Sequence, residues 1–189
     1  KEGLGNRSQL SGDVMVESLK FIRALRHSTA NQDMIIFATI HRQENTDNPS
    51  RITHIISEMR KSLLPIHLHC HPRLKKVLEN LGLFFDSENL KLLSPLDYVS
   101  TINKLIDSVA IITDSGGLQK EAYILEKPCL VVRSETEWVE TLSEGFNCLD
   151  PDLTKITTNW FSGNVGERDK TIFGDGESSR FIVDAIRNF

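Results

Sequence analysis

The residues best suited to chemistry form one block, Ile111-Ile112-Thr113-Asp114-Ser115-Gly116-Gly117-Leu118-Gln119-Lys120-Glu121-Ala122, where an apolar run gives way to two glycines and a helix-forming stretch. A strand that feeds a glycine-opened helix brings free backbone N–H groups and the positive end of the helix dipole to one point, which suits a phosphate. Glycine also lets an anion approach the backbone closely. Gly117 and Glu121 stand one turn apart on one helix face, and helical side chains lean toward the N-terminus. The Glu121 carboxylate therefore reaches back past the glycine, where it could accept two hydroxyls of a ribose. The same pattern also builds a plain strand-to-helix turn with a solvated glutamate.

Three more polar clusters follow apolar runs. Thr39-Ile40-His41-Arg42-Gln43-Glu44-Asn45 places His41, a donor to phosphate or a proton carrier, beside Arg42, which could neutralise a diphosphate. Polar residues after a strand are commonplace, so this cluster alone also fits an ordinary loop. In His67-Leu68-His69-Cys70-His71-Pro72-Arg73 the three histidines alternate with the spacing of metal ligands on a strand face, but no acidic residue accompanies them, and the reading is that no metal is held. His71 and Arg73, where strand gives way to helix, are the better polar candidates. Arg133-Ser134-Glu135-Thr136-Glu137-Trp138-Val139-Glu140 carries Glu137 three residues after Ser134, the spacing of a capping box that starts a surface helix with Trp138 partly buried.

The elements that must carry these clusters alternate between helix and strand, the rhythm of an α/β protein with a mostly parallel sheet. Val14, Leu19, Ile22 and Leu25 give a first helix, and Met34–Thr39 is a buried-strand run. Asn48-Pro49 caps and opens a helix over Arg51–Leu63. A second strand is expected over Ile66–Cys70, a short helix from Pro72 to Leu81, a third strand over Leu90–Leu93, a helix over Asp97–Ile106, a fourth strand over Val109–Thr113, a helix to Leu125, a fifth strand over Cys129–Val132 and a short sixth over Asn147–Leu149. From Pro151 the pattern becomes a polar helix. The stretch from Ser162 to Gly176, rich in glycine and charge, reads as a connection rather than a domain boundary, and a last helix spans Glu177–Arg187. The 189 residues are read as a single Rossmann-like domain. In open sheets of this kind ligands gather at the carboxyl ends of the strands, so all four clusters should meet on one rim.

Composition narrows the class. At 39% hydrophobic and 25% charged residues, with no apolar run near the ~18 residues of a membrane span, the chain reads as a soluble globular protein of the cytoplasm, without a membrane partner. Lys plus Arg (22) against Asp plus Glu (26) leaves a net charge of −4, which argues against a nucleic-acid partner. Cys70, Cys129 and Cys148 are far apart and in no CxxC pattern, so free thiols in a reducing compartment are expected. The chain begins at Lys1 without a secretory signal, and it reads as a piece of something longer.

Taken in order, the motifs resemble the C-terminal half of the non-hydrolysing UDP-N-acetylglucosamine 2-epimerase family. They are T-x-H-R-x-E-N at Thr39–Asn45, H-P-R at His71–Arg73, P-L-x-Y at Pro95–Tyr98, T-D-S-G-G-x-Q-x-E-A at Thr113–Ala122 and K-P-x-L-x-x-R-x-x-T-E at Lys127–Glu137. The resemblance implies one half of a glycosyltransferase-B type fold. It implies an isomerase of polysaccharide biosynthesis that inverts C2 of a UDP-N-acetylhexosamine by eliminating and re-adding UDP, with no cofactor. It further implies that Ser115, Gly116 and Gly117 hold the diphosphate, that Glu121 holds the ribose, and that His41 is the catalytic group of this half. Arg42, Gln119 and Glu137 are implied in substrate binding. The acid and base at C2 are implied to lie in an N-terminal domain toward which the last helix packs, so this chain alone is expected to be inactive. The intact protein is expected to be a homodimer. The commoner family form is departed from in two places, Lys120 in place of a glutamate and Trp138-Val139 in place of Arg-Pro. They resemble a branch that includes 2-epimerases of UDP-diacetamido-sugar uronic acids. A glycosyltransferase donor domain and a non-catalytic sugar-nucleotide sensor remain the competing readings.

Overall fold

The structure, a computed structural model, describes residues 8–26, 33–162 and 168–188. The chain divides into two compact units, residues 28–168 and residues 1–27 with 169–189, so a division falls inside the stretch read as a simple connection.

The larger unit is built on β1 (Asp33–Thr39), β2 (Ile66–His69), β3 (Leu90–Leu93), β4 (Ser108–Thr113), β5 (Cys129–Val131) and β6 (Asn147–Leu149). All neighbouring pairs are parallel and the order is β3-β2-β1-β4-β5-β6, that of a doubly wound Rossmann sheet, as fits the Rossmann-like domain read from the sequence. Strand order reverses between β1 and β4. There Thr39 pairs with Thr113, so the two strands end level, and every residue that follows either strand emerges at the same edge.

The apolar runs are continuous because the sheet is covered on both faces. Ile36, Ala38 and Ile40 share one core with Ala110 and Ile112 of β4 and with Ile52, Ile55 and Ile56 of α3 (Pro49–Met59), all at most 1% exposed. Phe37 and Ile111 alternate to the opposite face, which α5 (Tyr98–Asp107) and α6 (Gly116–Ile124) cover. Helix starts follow local chemistry. Asn48 caps α3 through Arg51 N–H at 3.1 Å, with Pro49 in its first turn, and His71 and Pro72 open α4 (Pro72–Asn80) in the same way. A short helical turn, α2 (Gln43–Thr46), was not apparent in the sequence.

Two expected helices do not form. Between Arg133 and Trp138 the chain is a loop, followed by a 3-10 helix at Val139–Gly145. The capping box fails because Glu137 is engaged by Arg133 and Thr136 by Gln119. After Pro151 the backbone turns at Leu153, with φ +53°, and Asp150 draws the N–H groups of Thr154 and Lys155 onto its carboxylate at 2.9 and 2.8 Å. The result is turns and a short 3-10 helix at Trp160–Ser162 instead of a polar helix.

The smaller unit holds α1 (Val14–Leu25) and α7 (Ser178–Arg187), which pack on each other. The buried stripe of α1 is Val16, Leu19 and Ile22, with Val14 and Leu25 exposed, a face rotated from the one the apolar spacing suggested. Asp13 caps α1, and Glu17 of α1 accepts the Ser179 N–H at 2.7 Å, serving α7 as a cap borrowed from its neighbour. Residues 163–167 of the expected connection lie outside the described residues.

Candidate functional site

The rim is organised around Asp114, the first residue after β4, whose side chain is fully buried. Its carboxylate accepts the backbone N–H of His41 at 3.1 Å, the backbone N–H of Arg42 at 2.9 Å and the side-chain amide of Asn45 at 2.9 Å. His41 Nδ1 lies 3.2 Å from Asp114 Oδ1, and His41 is half exposed. That contact favours the proton on Nδ1 and leaves Nε2 toward solvent for a ligand. Arg42 returns the grip by donating its Nε–H to the Asp114 carbonyl at 2.9 Å. The loops after β1 and β4 are thus one cross-linked structure.

Beside it, Thr113 Oγ1 meets Thr39 Oγ1 at 2.9 Å and accepts the Ser115 N–H at 3.0 Å. Ser115 is the N-cap of α6, its hydroxyl oxygen accepting the Leu118 N–H at 3.4 Å. Gly116 and Gly117 then occupy the first two helical positions, whose N–H groups an α-helix leaves without an internal partner. Gly117 is exposed, and a Cβ there would meet nothing nearer than 3.8 Å. The Ser115 hydroxyl proton and these N–H groups are donors of the kind that suits an anion, beside the Asp114-linked His41 and Arg42.

Glu137 borders this helix start from the loop after β5, its Oε2 3.8 Å from a Cβ built on Gly116. It forms a two-pronged ion pair with Arg133, at 2.6 and 3.0 Å, and lies 3.4 Å from Arg42. The paired guanidinium of Arg133 holds the Glu137 carboxyl down at about 2, and Glu137 in turn raises the value of Arg133. Gln119, read as a binding residue, is fully buried. Its Oε1 accepts the Thr136 hydroxyl at 2.6 Å and its carbonyl accepts from Asn147, so it fastens the Glu137 loop to α6. The two departures from the commoner family form touch each other, with Lys120 Nζ 4.2 Å from the Trp138 ring centroid.

Glu121 is only 3% exposed, so it is not the solvated glutamate of the plain-turn reading. Burial pushes its carboxyl above the ordinary value, while a hydrogen bond from Tyr98 and the nearby Lys120 act in the other direction.

The histidines on and after β2 serve different purposes. His69 stacks on Phe37, with centroids 5.0 Å apart, and bonds through Nδ1 to the Ser94 carbonyl at 2.7 Å, while burial lowers its pKa. His71 caps α4, and Arg73 pairs with Asp47. His41, His69, His71 and Arg73 line a cavity of about 370 Å³ floored by Phe37, Leu96 and Leu118. Among the described residues no three His, Cys, Asp or Glu side chains are placed to hold a metal. Asp114, Asn45 and Arg133, which fix the geometry, were not singled out from the sequence. The signal available was an acidic residue at the end of a fully apolar strand, where only a hydrogen-bonded carboxylate is tolerated.

A model of the family described as UDP-N-acetylglucosamine 2-epimerase matches residues 6–187. A UDP-N-acetylglucosamine 2-epimerase homolog of Methanococcus maripaludis is 38% identical, over 99% of this chain and 56% of that protein. A UDP-2,3-diacetamido-2,3-dideoxy-D-glucuronate 2-epimerase of Pseudomonas aeruginosa is 37% identical, over 93% of this chain and 51% of that protein. The crystal structure of the Methanocaldococcus jannaschii UDP-GlcNAc 2-epimerase in complex with UDP-GlcNAc and UDP superposes with a TM-score of 0.81 at 29% identity, covering 97% of this chain and 56% of that one. The chain belongs to the UDP-N-acetylglucosamine 2-epimerase family and spans about half the length of these relatives.

Removing the Asp114 carboxylate strands two part-buried main-chain N–H groups and a buried amide. Asp114→Ala is expected to lower the unfolding free energy in urea by about 3 kcal/mol or more, against about 1 kcal/mol for the cap variant Ser115→Ala. Glu121 has a folded pKa above its unfolded value of 4.5, so its contribution to stability is full below that pH and is lost as pH rises through the raised value. Glu121→Gln is expected to abolish that part of the decline, read from urea midpoints of both proteins over pH 4–8.

Proposed function

We propose that this chain is the nucleotide-binding half of an epimerase that inverts C2 of a UDP-N-acetylhexosamine, UDP-N-acetylglucosamine being the preferred substrate. The observation that carries the reading is the anion seat on the first turn of α6, flanked by His41 and Arg42 through their shared hold on Asp114. The diphosphate sits against Ser115, Gly116 and Gly117. The ribose hydroxyls take the place of the Tyr98 hydroxyl on Glu121, and the base lies toward Leu96 at the edge of the cavity.

In the reaction, a base removes the C2 proton, the electron pair forms the C1–C2 double bond, and the C1–O bond breaks with its electrons leaving on UDP. Negative charge grows on the diphosphate as that bond breaks. Preorganised donors at the growing charge lower the barrier, because they need not reorganise at the moment of reaction. Ser115, Gly116, Gly117 and Arg42 are those donors, with His41 beside them as the catalytic group of this half. UDP then adds back to C1 while C2 is protonated from the other face. The acid and base belong to the half that this chain does not span, and Phe181, Val183 and Ile186, exposed along α7, are apolar surface that can meet it. The resemblance to the Pseudomonas aeruginosa enzyme favours a second reading in which the hexose is a diacetamido uronic acid.

Glu121→Ala is expected to weaken UDP binding by about 1–3 kcal/mol in calorimetry, the cost of losing charge-assisted hydrogen bonds. The 189-residue chain alone is expected to bind UDP and to leave every UDP-sugar unchanged, whereas the full-length protein inverts C2, followed by proton NMR with UDP-N-acetylglucosamine and the diacetamido uronic acid in parallel. Turnover by the chain alone would place acid and base within it, and transfer of the sugar to an acceptor would replace the epimerase reading with a glycosyltransferase.

A further inference from the structure

Gly116 and Lys120 lie one turn apart on α6, and the indole of Trp138 runs along the face they share. A Cβ built on Gly116 would stand 3.2 Å from Trp138 Nε1 and 3.8 Å from its Cδ1, so the N–H-bearing edge of the ring borders the first turn of the helix. From there Lys120 stacks its ammonium over the ring, 4.2 Å from the centroid. The backbone of Trp138 is held as tightly as its ring. Its N–H donates to Thr136 Oγ1 at 3.1 Å, and its carbonyl accepts from the Thr141 N–H at 3.0 Å and the Thr141 hydroxyl at 2.6 Å. Thr136 is itself fastened to α6 through Gln119.

An indole N–H can only donate, so it has use for an oxygen acceptor and none for a cation or another donor. A ring already clamped by its backbone and by a cation on its face loses little freedom when a ligand arrives. Resting on the reading that a nucleoside diphosphate seats on the first turn of α6, we propose that Trp138 is a specificity-determining wall of that seat, its Nε1–H donating to a diphosphate oxygen and Lys120 holding the ring in place. The wall reads an oxygen by direction rather than by charge. It also explains why a glycine stands at position 116, since any side chain there meets the indole at 3.2 Å and pushes the donor away.

The chain has two tryptophans, Trp138 and Trp160, so Trp160→Phe leaves Trp138 as the sole indole. UDP and uridine are titrated into the 189-residue chain by calorimetry and, in Trp160→Phe, by indole emission. UDP is expected to shift the Trp138 emission along its binding curve, and saturating uridine, which lacks the diphosphate, to leave it unchanged. Trp138→Phe, which keeps an aromatic ring and removes the donor, is expected to weaken UDP about tenfold, and Lys120→Met, which keeps the stem, by two- to fivefold. Wild-type affinity in Trp138→Phe, or emission blind to UDP while wild-type calorimetry shows binding, would overturn the role of Trp138 and leave the nucleotide reading standing. Absence of UDP binding by the wild-type chain would overturn both.

Discussion

The Asp114 carboxylate is fully buried and accepts from the main-chain N–H groups of His41 and Arg42 and from the Asn45 amide, and the position of every other group at the rim follows from that arrangement. A buried carboxylate is tolerated only where hydrogen bonds replace its hydration, and here the replacement comes from a different strand. The loop after β1 therefore cannot move without uncovering a charge. Arg42 is fixed at both ends, by the Asp114 carbonyl and by Glu137, and Arg133 stands behind Glu137 within reach of Glu44 as well. A chain of alternating charge runs along the sheet edge, set before any ligand arrives.

Strand register does the remaining positioning. Thr39 and Thr113 are paired and their hydroxyls bonded, which brings His41 and Ser115 to one level and points the first turn of α6 at the same volume of solvent. Catalysis by stabilising a leaving group gains only from donors that are already in place when charge develops. Under the proposed function, a helix start aimed by a sheet, beside a histidine and an arginine aimed by a buried carboxylate, is the arrangement that meets that condition.

Much of this could be read from residue order. Apolar runs with turn residues between them define the parallel sheet, because burial on both faces leaves a strand no polar positions to vary. The start of α6 at Ser115-Gly116-Gly117 was legible as well, because two glycines after an apolar run mark where the strand ends and the helix opens. Side-chain partnership across long sequence separations was not legible. Ser134 and Glu137 have capping-box spacing, but Arg133 competes for the same carboxylate, and a bidentate guanidinium outweighs a cap. Gln119 was read as a substrate contact, and what no local pattern showed is that its side chain is buried and accepts from Thr136, seventeen residues on. Whether Glu121 is solvated, as in a plain turn, or buried was left open by the sequence, because its hydrogen bond with Tyr98 joins two helices and no local pattern encodes that.

The most direct test of this account is the map of backbone amide shifts in the 15N-labelled chain as UDP is added. The account predicts that the largest shifts fall on Gly116 and Gly117, with His41 and Arg42 following on the same binding curve through Asp114. Saturable UDP binding that leaves the Gly116 and Gly117 amides unmoved, with shifts clustered elsewhere on the sheet, would contradict it.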